Sequence, residues 1–263
     1  MFDFTKGIYA ACVTPFWSNG SIDWPSLRAY FAEVVAGSPD GLVVNTVLGE
    51  AAALSLTEAV DIVARARDAA RGVCAVVTGI DTRWGTIGET VQDLSEAGAE
   101  GFLISAGGTR ASIAGADDLL AVDQLSSLAM SENLTTDEVS FLDDRKRGCL
   151  GAVLGFAGLP TSKMVALNRF LDRGDMQQAE RLWGEIEPWA KFCATGDAGR
   201  FVTIAKQILY RQRVIASATT RAPIAPPNRD LLEAIDGFFV RHRLDKPENL
   251  PPGFILARTA MPR

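Results

Sequence analysis

Lysines and acidic residues that follow predicted strands are the side chains of this sequence best suited to catalysis. Lys163 follows the apolar run 148–156 in the segment GLPTSKM. A lysine amine becomes a useful nucleophile when burial lowers its pKa. Asp81 follows another apolar run, and Asp137 and Glu138 follow LTT, so these acids are candidate Mg²⁺ ligands. Solvated or helix-capping roles are commoner for such residues, and the sequence leaves both uses open.

Histidine and cysteine usage argues against several other kinds of site. The single histidine, His242, lies in the helical stretch FFVRHRL and is predicted to be a surface residue, which disfavours Ser-His-Asp hydrolysis and histidine-rich metal sites. The cysteines are far apart and form no CxxC pair, which predicts reduced thiols and no zinc site. They are Cys12, Cys74, Cys149 and Cys193.

Composition and charge limit the partners of the chain. It has 263 residues, 48% of them hydrophobic and 22% charged, with a net charge of −6. An acidic balance disfavours nucleic acid and anionic membrane surfaces as partners. No apolar run reaches the roughly 18–20 residues that span a bilayer, and the N-terminus does not have the pattern of a signal peptide. We therefore expect a cytoplasmic protein.

Strand-like runs alternate with helical patterns along the first half of the chain. The period is about 30 residues, the length of one strand-plus-helix unit. Ser55 and Glu58 have the spacing of a helix capping box. Nearly continuous apolar strands without a glycine-rich nucleotide fingerprint indicate a TIM-type (β/α) barrel rather than a Rossmann sheet. The predicted strands lie within 7–15, 41–45, 74–80, 101–108 and 148–156.

The alternation fails in the middle of the chain. Residues 109–133 show one helical pattern and no convincing strand, and 134–138 could supply a short strand end. We therefore predict a barrel reduced to about six strands over residues 1–175. A C-terminal helical extension is predicted over 176–244, and an extended or disordered tail over 245–263.

Several segments, in order along most of residues 5–240, resemble the dihydrodipicolinate synthase / N-acetylneuraminate lyase family of pyruvate-dependent class I aldolases. The order and spacing of the segments carry this resemblance, since no single segment is decisive. The segments are VTPF (13–16), GEAAALSLTE (49–58), VVTGID (76–81), GAEGFLIS (98–105), LTTDEVSFLDDRKRGCLGAVLGFAGLPTSKM (134–164) and TRAP (220–223).

The resemblance implies three functional features that this sequence does not reproduce. The family uses a Schiff-base lysine on its sixth strand, a proton-relaying tyrosine on its fifth, and a Thr-Thr pair before Gly-Glu. Val47 and Leu48 occupy the Thr-Thr positions, and the Tyr-Asn-x-Pro and Gly-Ile-Lys segments have no counterpart. Two consecutive strand–helix units are thus missing. Lys206 matches a lysine of the family's C-terminal helices and is predicted to be structural, which leaves Lys163 as the candidate catalytic lysine.

Two functions follow from the resemblance as expectations. The first is a carbon–carbon lyase or aldolase acting on pyruvate or another 2-oxo acid. The second is a catalytically silent relative that binds a small carboxylate or a partner subunit. We expect no cofactor and no metal, and the predicted ligand-binding residues are Val47, Leu48, Gly49, Glu50 and Val153.

The missing units also predict an arrangement of the barrel and its copies. Loss of two neighbouring units would expose the edges of the fourth and seventh strands of the family's barrel. Either these strands pair with each other, or a second copy covers the gap. The family's habit of assembling also implies a homo-oligomer.

Overall fold

Seven strands close into a barrel in the part of the chain that the structure describes. The structure is a computed structural model, which describes residues 3–104, 110–120 and 133–242. The neighbouring strands are parallel, except that β5 runs antiparallel to both β4 and β6. The strands are β1 (Gly7–Ala11), β2 (Gly41–Val44), β3 (Ala75–Thr78), β4 (Gly101–Ile104), β5 (Arg110–Ala114), β6 (Leu134–Thr135) and β7 (Gly151–Leu154).

Helices follow the strands on the outside of the barrel and make up the C-terminal part of the described chain. The predicted capping box at Ser55 and Glu58 is confirmed at the start of α2, where each side chain bonds the other residue's backbone N–H. The helices are α1 (Trp24–Ala36), α2 (Leu56–Ala70), α3 (Ile87–Glu96), α4 (Ala116–Leu120), α5 (Phe141–Lys146), α6 (Thr161–Asp172), α7 (Met176–Cys193), α8 (Ala198–Arg211) and α9 (Arg229–Arg241).

The barrel type is confirmed, but the prediction of six strands is wrong. β5 lies within 109–133, where the sequence predicted no strand. Its short segment RASIA is not a continuous apolar run, and it becomes a strand by pairing with β4 and β6. The fourth and seventh strands of the family's barrel correspond to β4 and β6, and β5 fills the space between them. The two expected solutions, direct pairing of the flanking strands or cover by a second copy, are therefore both wrong.

Several predictions stay untested by this architecture. The homo-oligomer now rests on the family resemblance alone, because one chain closes its own barrel. The division of the chain between residues 175 and 176 stays a prediction. The predicted tail at 245–263 lies outside the described residues, and so does the part of the predicted helical pattern that falls within 121–132. None of the described helices has both the length and the apolar character to cross a membrane.

The interior of the barrel is an apolar cluster, formed by alternate residues of the strands. Tyr9 is its one polar member, and its hydroxyl donates to the carbonyl of Asp3 near the amino end of β1 (3.1 Å). The buried members are Tyr9, Ala11, Val43, Ala75, Val77, Leu134 and Val153. A larger apolar core lies between the barrel and its helices.

Candidate functional site

The turn that follows β2, residues 45–50, has an unusual backbone. Asn45 (φ 56°) and Glu50 (φ 58°) both adopt the left-handed conformation, although neither is glycine. Such conformations are sparsely populated, and they persist where the surrounding structure fixes them. The turn lies at the carboxyl ends of the parallel strands, where TIM barrels place their active sites.

Hydrogen bonds to three neighbouring segments hold this turn in place. The side-chain amide of Asn45 donates to the carbonyl of Ala59 in α2 (3.0 Å) and to the hydroxyl of Thr78 in β3 (3.1 Å). The Thr14 hydroxyl, beyond the end of β1, donates to the carbonyl of Gly49 (2.8 Å). The Oδ1 atom of Asn45 is buried and has no hydrogen-bond partner in the described structure. The turn is therefore rigidly held, and it carries an unsatisfied polar atom at its base.

The carboxylate of Glu50 anchors the C-terminal helices to this turn. It is buried and forms an ion pair with Lys206 of α8, whose side chain is 0% exposed. The backbone N–H of Arg221 donates to the same carboxylate (2.8 Å), and the Lys206 amine also donates to the carbonyl of Thr219 (2.8 Å). Burial lowers the pKa of Lys206 to about 8, although the Glu50 charge opposes that shift.

Arg221 extends the same network to the start of α2. Its guanidinium donates to both carboxylate oxygens of Glu58 (2.9 and 2.6 Å), and these hydrogen bonds lower the pKa of Glu58. The ring of Phe16 contacts both cations, with the Lys206 amine 4.3 Å and the Arg221 guanidinium carbon 4.2 Å from its centroid. Lys206 and the TRAP segment were each recognisable in the sequence, but their common partner was not. The Lys206 amine and the Arg221 backbone N–H both bind the carboxylate of Glu50.

The predicted ligand-binding residues lie together at this end of the barrel. Val47 is 67% exposed, whereas Gly49, in the same turn, is buried. Leu48 packs on the interior cluster that contains Val153. A Cβ atom on Gly155, just after β7, would lie 2.2 Å from Cδ1 of Leu48, so Leu48 reaches across the mouth to β7.

The predicted catalytic lysine lies at the outer surface of the helical layer. Lys163 is near the start of α6, is 29% exposed, and forms an ion pair with Glu185 of α7 (3.0 Å). Among the described lysines only Lys206 is completely buried, since Lys6, Lys146 and Lys191 have side chains that are 40–65% exposed. The structure therefore brings Lys206, and not Lys163, into contact with the turn.

The acidic candidates bind protein groups in this structure. Asp81 pairs with Arg83, and Asp137 accepts the backbone N–H groups of Val139 and Ser140 (2.9 and 3.0 Å). Within the described ranges, no group of three or more His, Cys, Asp or Glu residues is placed to bind a metal ion. The Mg²⁺ alternative thus gains no support from the geometry.

Glu138 binds the backbone at the end of β7. Its carboxylate accepts the N–H groups of Gly155 (2.7 Å) and Phe156 (3.2 Å). Burial raises its pKa to about 8, in spite of these two hydrogen bonds. The group thus exchanges its proton near neutral pH at the barrel mouth, a property that only the structure reveals.

We predict that Glu138→Gln changes how stability depends on pH. A pKa raised from 4.5 to about 8 means that the neutral carboxyl stabilises the fold below pH 4.5, and that this contribution is lost as pH rises to about 8. The Glu138 side chain is partly exposed, so only part of the free energy implied by the pKa shift should appear in stability. Across this window the free energy of unfolding of the wild type should fall by about 2 kcal/mol relative to that of the variant. Urea unfolding at a series of pH values measures this difference. Glu233→Gln on the exposed face of α9 is the control, and parallel curves for wild type and Glu138→Gln would contradict the prediction.

The closed barrel of mainly parallel strands, with its tightly held turn at their carboxyl ends, defines a TIM-type (β/α) barrel protein. Residues 4–104 match the Dihydrodipicolinate synthetase family. The chain is 24% identical over 281 residues to the 4-hydroxy-tetrahydrodipicolinate synthase of Bifidobacterium longum, covering 88% of this chain and 92% of that relative. It is 32% identical over 102 residues to that of Bdellovibrio bacteriovorus, covering 38% and 34% of the two chains.

Solved structures show the same fold. The structure is similar to that of dihydrodipicolinate synthase from Bacillus clausii, with a TM-score of 0.73 and 21% identity over 91% of this chain and 98% of that chain. The enzyme from Aquifex aeolicus gives a TM-score of 0.72 at 16% identity, over 94% and 99% of the two chains. The match over residues 4–104 agrees with the resemblance that the motifs predicted, and the solved structures show the same fold over most of the chain.

Proposed function

We propose that this protein is a carbon–carbon lyase or aldolase that acts on pyruvate or another 2-oxo acid, and that it binds the substrate carboxylate at Val47–Glu50. The observation that carries this proposal is the strained and over-determined turn at the carboxyl ends of the strands. The family relationship supports the class of reaction, by analogy with relatives named 4-hydroxy-tetrahydrodipicolinate synthase.

Retention of strain at this turn is the physical reason to assign it a function. A left-handed non-glycine residue costs on the order of 1–3 kcal/mol. Here two such residues are held by contacts from α2, β3 and α8, and Thr14 bonds the carbonyl of Gly49 between them. A buried unpaired oxygen on Asn45 adds a further cost. A ligand site benefits from backbone groups that are already in place.

The proposed reaction needs an amine close to the bound substrate. Attack of a neutral lysine amine on the carbonyl carbon forms a C–N bond, and loss of water gives an iminium that withdraws electrons from the adjacent C–C bond. Lys163, which does not contact the turn in this structure, is the proposed source of this amine. It would first have to leave Glu185, with which it is paired at the surface.

A specific observation favours a second candidate function, a catalytically silent relative that binds a small carboxylate. Leu48 packs against the interior cluster of the barrel, at a position where the family resemblance predicts a hydroxyl. Binding at the turn would then proceed without covalent chemistry.

Borohydride trapping with pyruvate tests the proposed function. We expect one reduced pyruvate adduct by intact mass spectrometry, mapped by peptide analysis to a single lysine, and we expect Lys163→Met to abolish it because the amine is the nucleophile. Lys191→Met is the matched control, since Lys191 is an exposed lysine in an ion pair on α7.

The other outcomes separate the two functions. Pyruvate binding seen by NMR, without an adduct in the folded protein, would support the silent relative. An adduct mapped to Lys206 would keep the lyase and reject Lys163 as its nucleophile. Neither binding nor an adduct would reject the proposed substrate.

A further inference from the structure

A cavity of about 380 Å³ lies between the end of α8 and the connection that follows it. We propose that this cavity is a second ligand site, and that it binds a neutral, hydroxyl-rich small molecule of the monosaccharide class. The site is separate from the turn at the barrel mouth, so the proposal does not depend on the function proposed above.

The polar groups around the cavity favour such a ligand. Its polar side chains are four hydroxyl groups and one carboxamide, and each of these both donates and accepts hydrogen bonds. They are Gln207, Tyr210, Ser217, Thr219 and Thr220. No charged side chain belongs to the described lining. Some of these groups are already partnered, since the Ser217 and Thr219 hydroxyls bond each other (2.8 Å) and Gln207 accepts from Arg211 (3.3 Å). A charged ligand would gain no opposite charge from the lining itself, whereas a polyol can bond the remaining donors and acceptors.

Apolar groups of the lining suit the carbon skeleton of a sugar. Two alanines of the connection line the cavity, together with Pro226 and Pro227. Tyr210 is 49% exposed, and its ring combines an apolar face with a hydroxyl group. The volume is near the lower end of the range for small-molecule sites, about 300–1,000 Å³. A monosaccharide fits this limit better than a nucleotide or a peptide.

Buried groups hold the connection that forms this lining. The backbone N–H of Ala216 donates to the hydroxyl of the buried Ser26 (2.9 Å). The carbonyl of Thr219 accepts a hydrogen bond from Lys206 (2.8 Å), and the N–H of Arg221 donates to Glu50 (2.8 Å). An irregular connection is thus fixed at three points by buried side chains. Its lining is preorganised, which lowers the entropic cost of binding a small ligand.

Saturation-transfer NMR with named probes tests this proposal. The probes are D-glucose, D-galactose, D-xylose and myo-inositol, each with the full-length protein, and glucose 6-phosphate serves as the charged counterpart. We expect transfer to at least one neutral probe with a dissociation constant near or below about 1 mM. Glucose 6-phosphate should bind at least about tenfold more weakly than glucose, because its phosphate finds no cation in the lining.

Two exposed aromatic residues provide the matched variants. Tyr210→Ala should weaken binding of the neutral probe by about tenfold or more, because it removes both the ring and the hydroxyl. Trp17→Ala, 40% exposed and outside the lining, should leave binding unchanged. Absence of transfer from all four neutral probes, or equal binding by Tyr210→Ala and wild type, would overturn the proposal. Tighter binding of glucose 6-phosphate would overturn the ligand class.

Discussion

Lys206→Met is expected to lower the free energy of unfolding by about 3–5 kcal/mol, the usual cost of removing one partner from a buried ion pair. The side chain of Lys206 is 0% exposed and that of Glu50 is 1% exposed, so the remaining carboxylate could not recover its hydration. The variant would also leave the carbonyl of Thr219 without the hydrogen bond that Lys206 donates. Urea unfolding followed by circular dichroism measures this loss.

A second substitution separates the charge effect from lost packing. The double variant Lys206→Met, Glu50→Gln should recover at least about 1 kcal/mol relative to Lys206→Met alone, because it removes the unpaired charge. Lys191→Met, which breaks the exposed pair with Glu187, should change stability by less than about 1 kcal/mol. If Lys206→Met cost no more than Lys191→Met, the buried pair would not anchor the C-terminal helices.

Local patterns allowed most of the barrel to be predicted from the sequence. Continuous apolar runs such as GLVV of β2 and AVVT of β3 are buried on both faces, and burial of this kind leaves a clear signal in composition. The capping box of α2 was readable because its two partners are three residues apart. In contrast, β5 is a short mixed segment whose strand state depends on neighbours at both edges. Local sequence carries no signal of that pairing.

The candidate site was predictable only in part, for the same reason. The 47–50 turn was found because it follows a strand and matches a family segment. The ion pair of Glu50 and Lys206 joins residues 156 positions apart, and no pattern within one element specifies such a contact. The pKa of Glu138 likewise depends on burial beside β7, which its position after LTT does not indicate. Long-range contacts therefore set the ion pairing of Glu50 and the burial of Glu138, which local sequence patterns do not specify.

Gly151→Ala is expected to destabilise the protein by about 3 kcal/mol or more, because the added methyl group has no space at the seam that closes the barrel. Gly151 of β7 faces Gly7 of β1 in the strand register. A Cβ atom on Gly151 would lie 2.0 Å from the carbonyl oxygen and 2.4 Å from the nitrogen of Gly7. These are backbone atoms held by strand pairing, so the clash can be relieved only by separating the strands.

Alanine substitutions at two other glycines should have smaller or opposite effects on stability, because the added methyl group would meet different atoms there. Gly155→Ala should cost less than Gly151→Ala, since its Cβ would meet side-chain atoms and not backbone: Cδ1 of Leu48 at 2.2 Å, which can change rotamer, and Cε1 of Phe201 at 2.8 Å. Gly184→Ala should raise stability by about 0.5–1 kcal/mol, since nothing lies within 4 Å and alanine favours the helix. Chemical denaturation of the three variants measures the order. A Gly151→Ala protein as stable as wild type would mean that β1 and β7 do not close the barrel in this register.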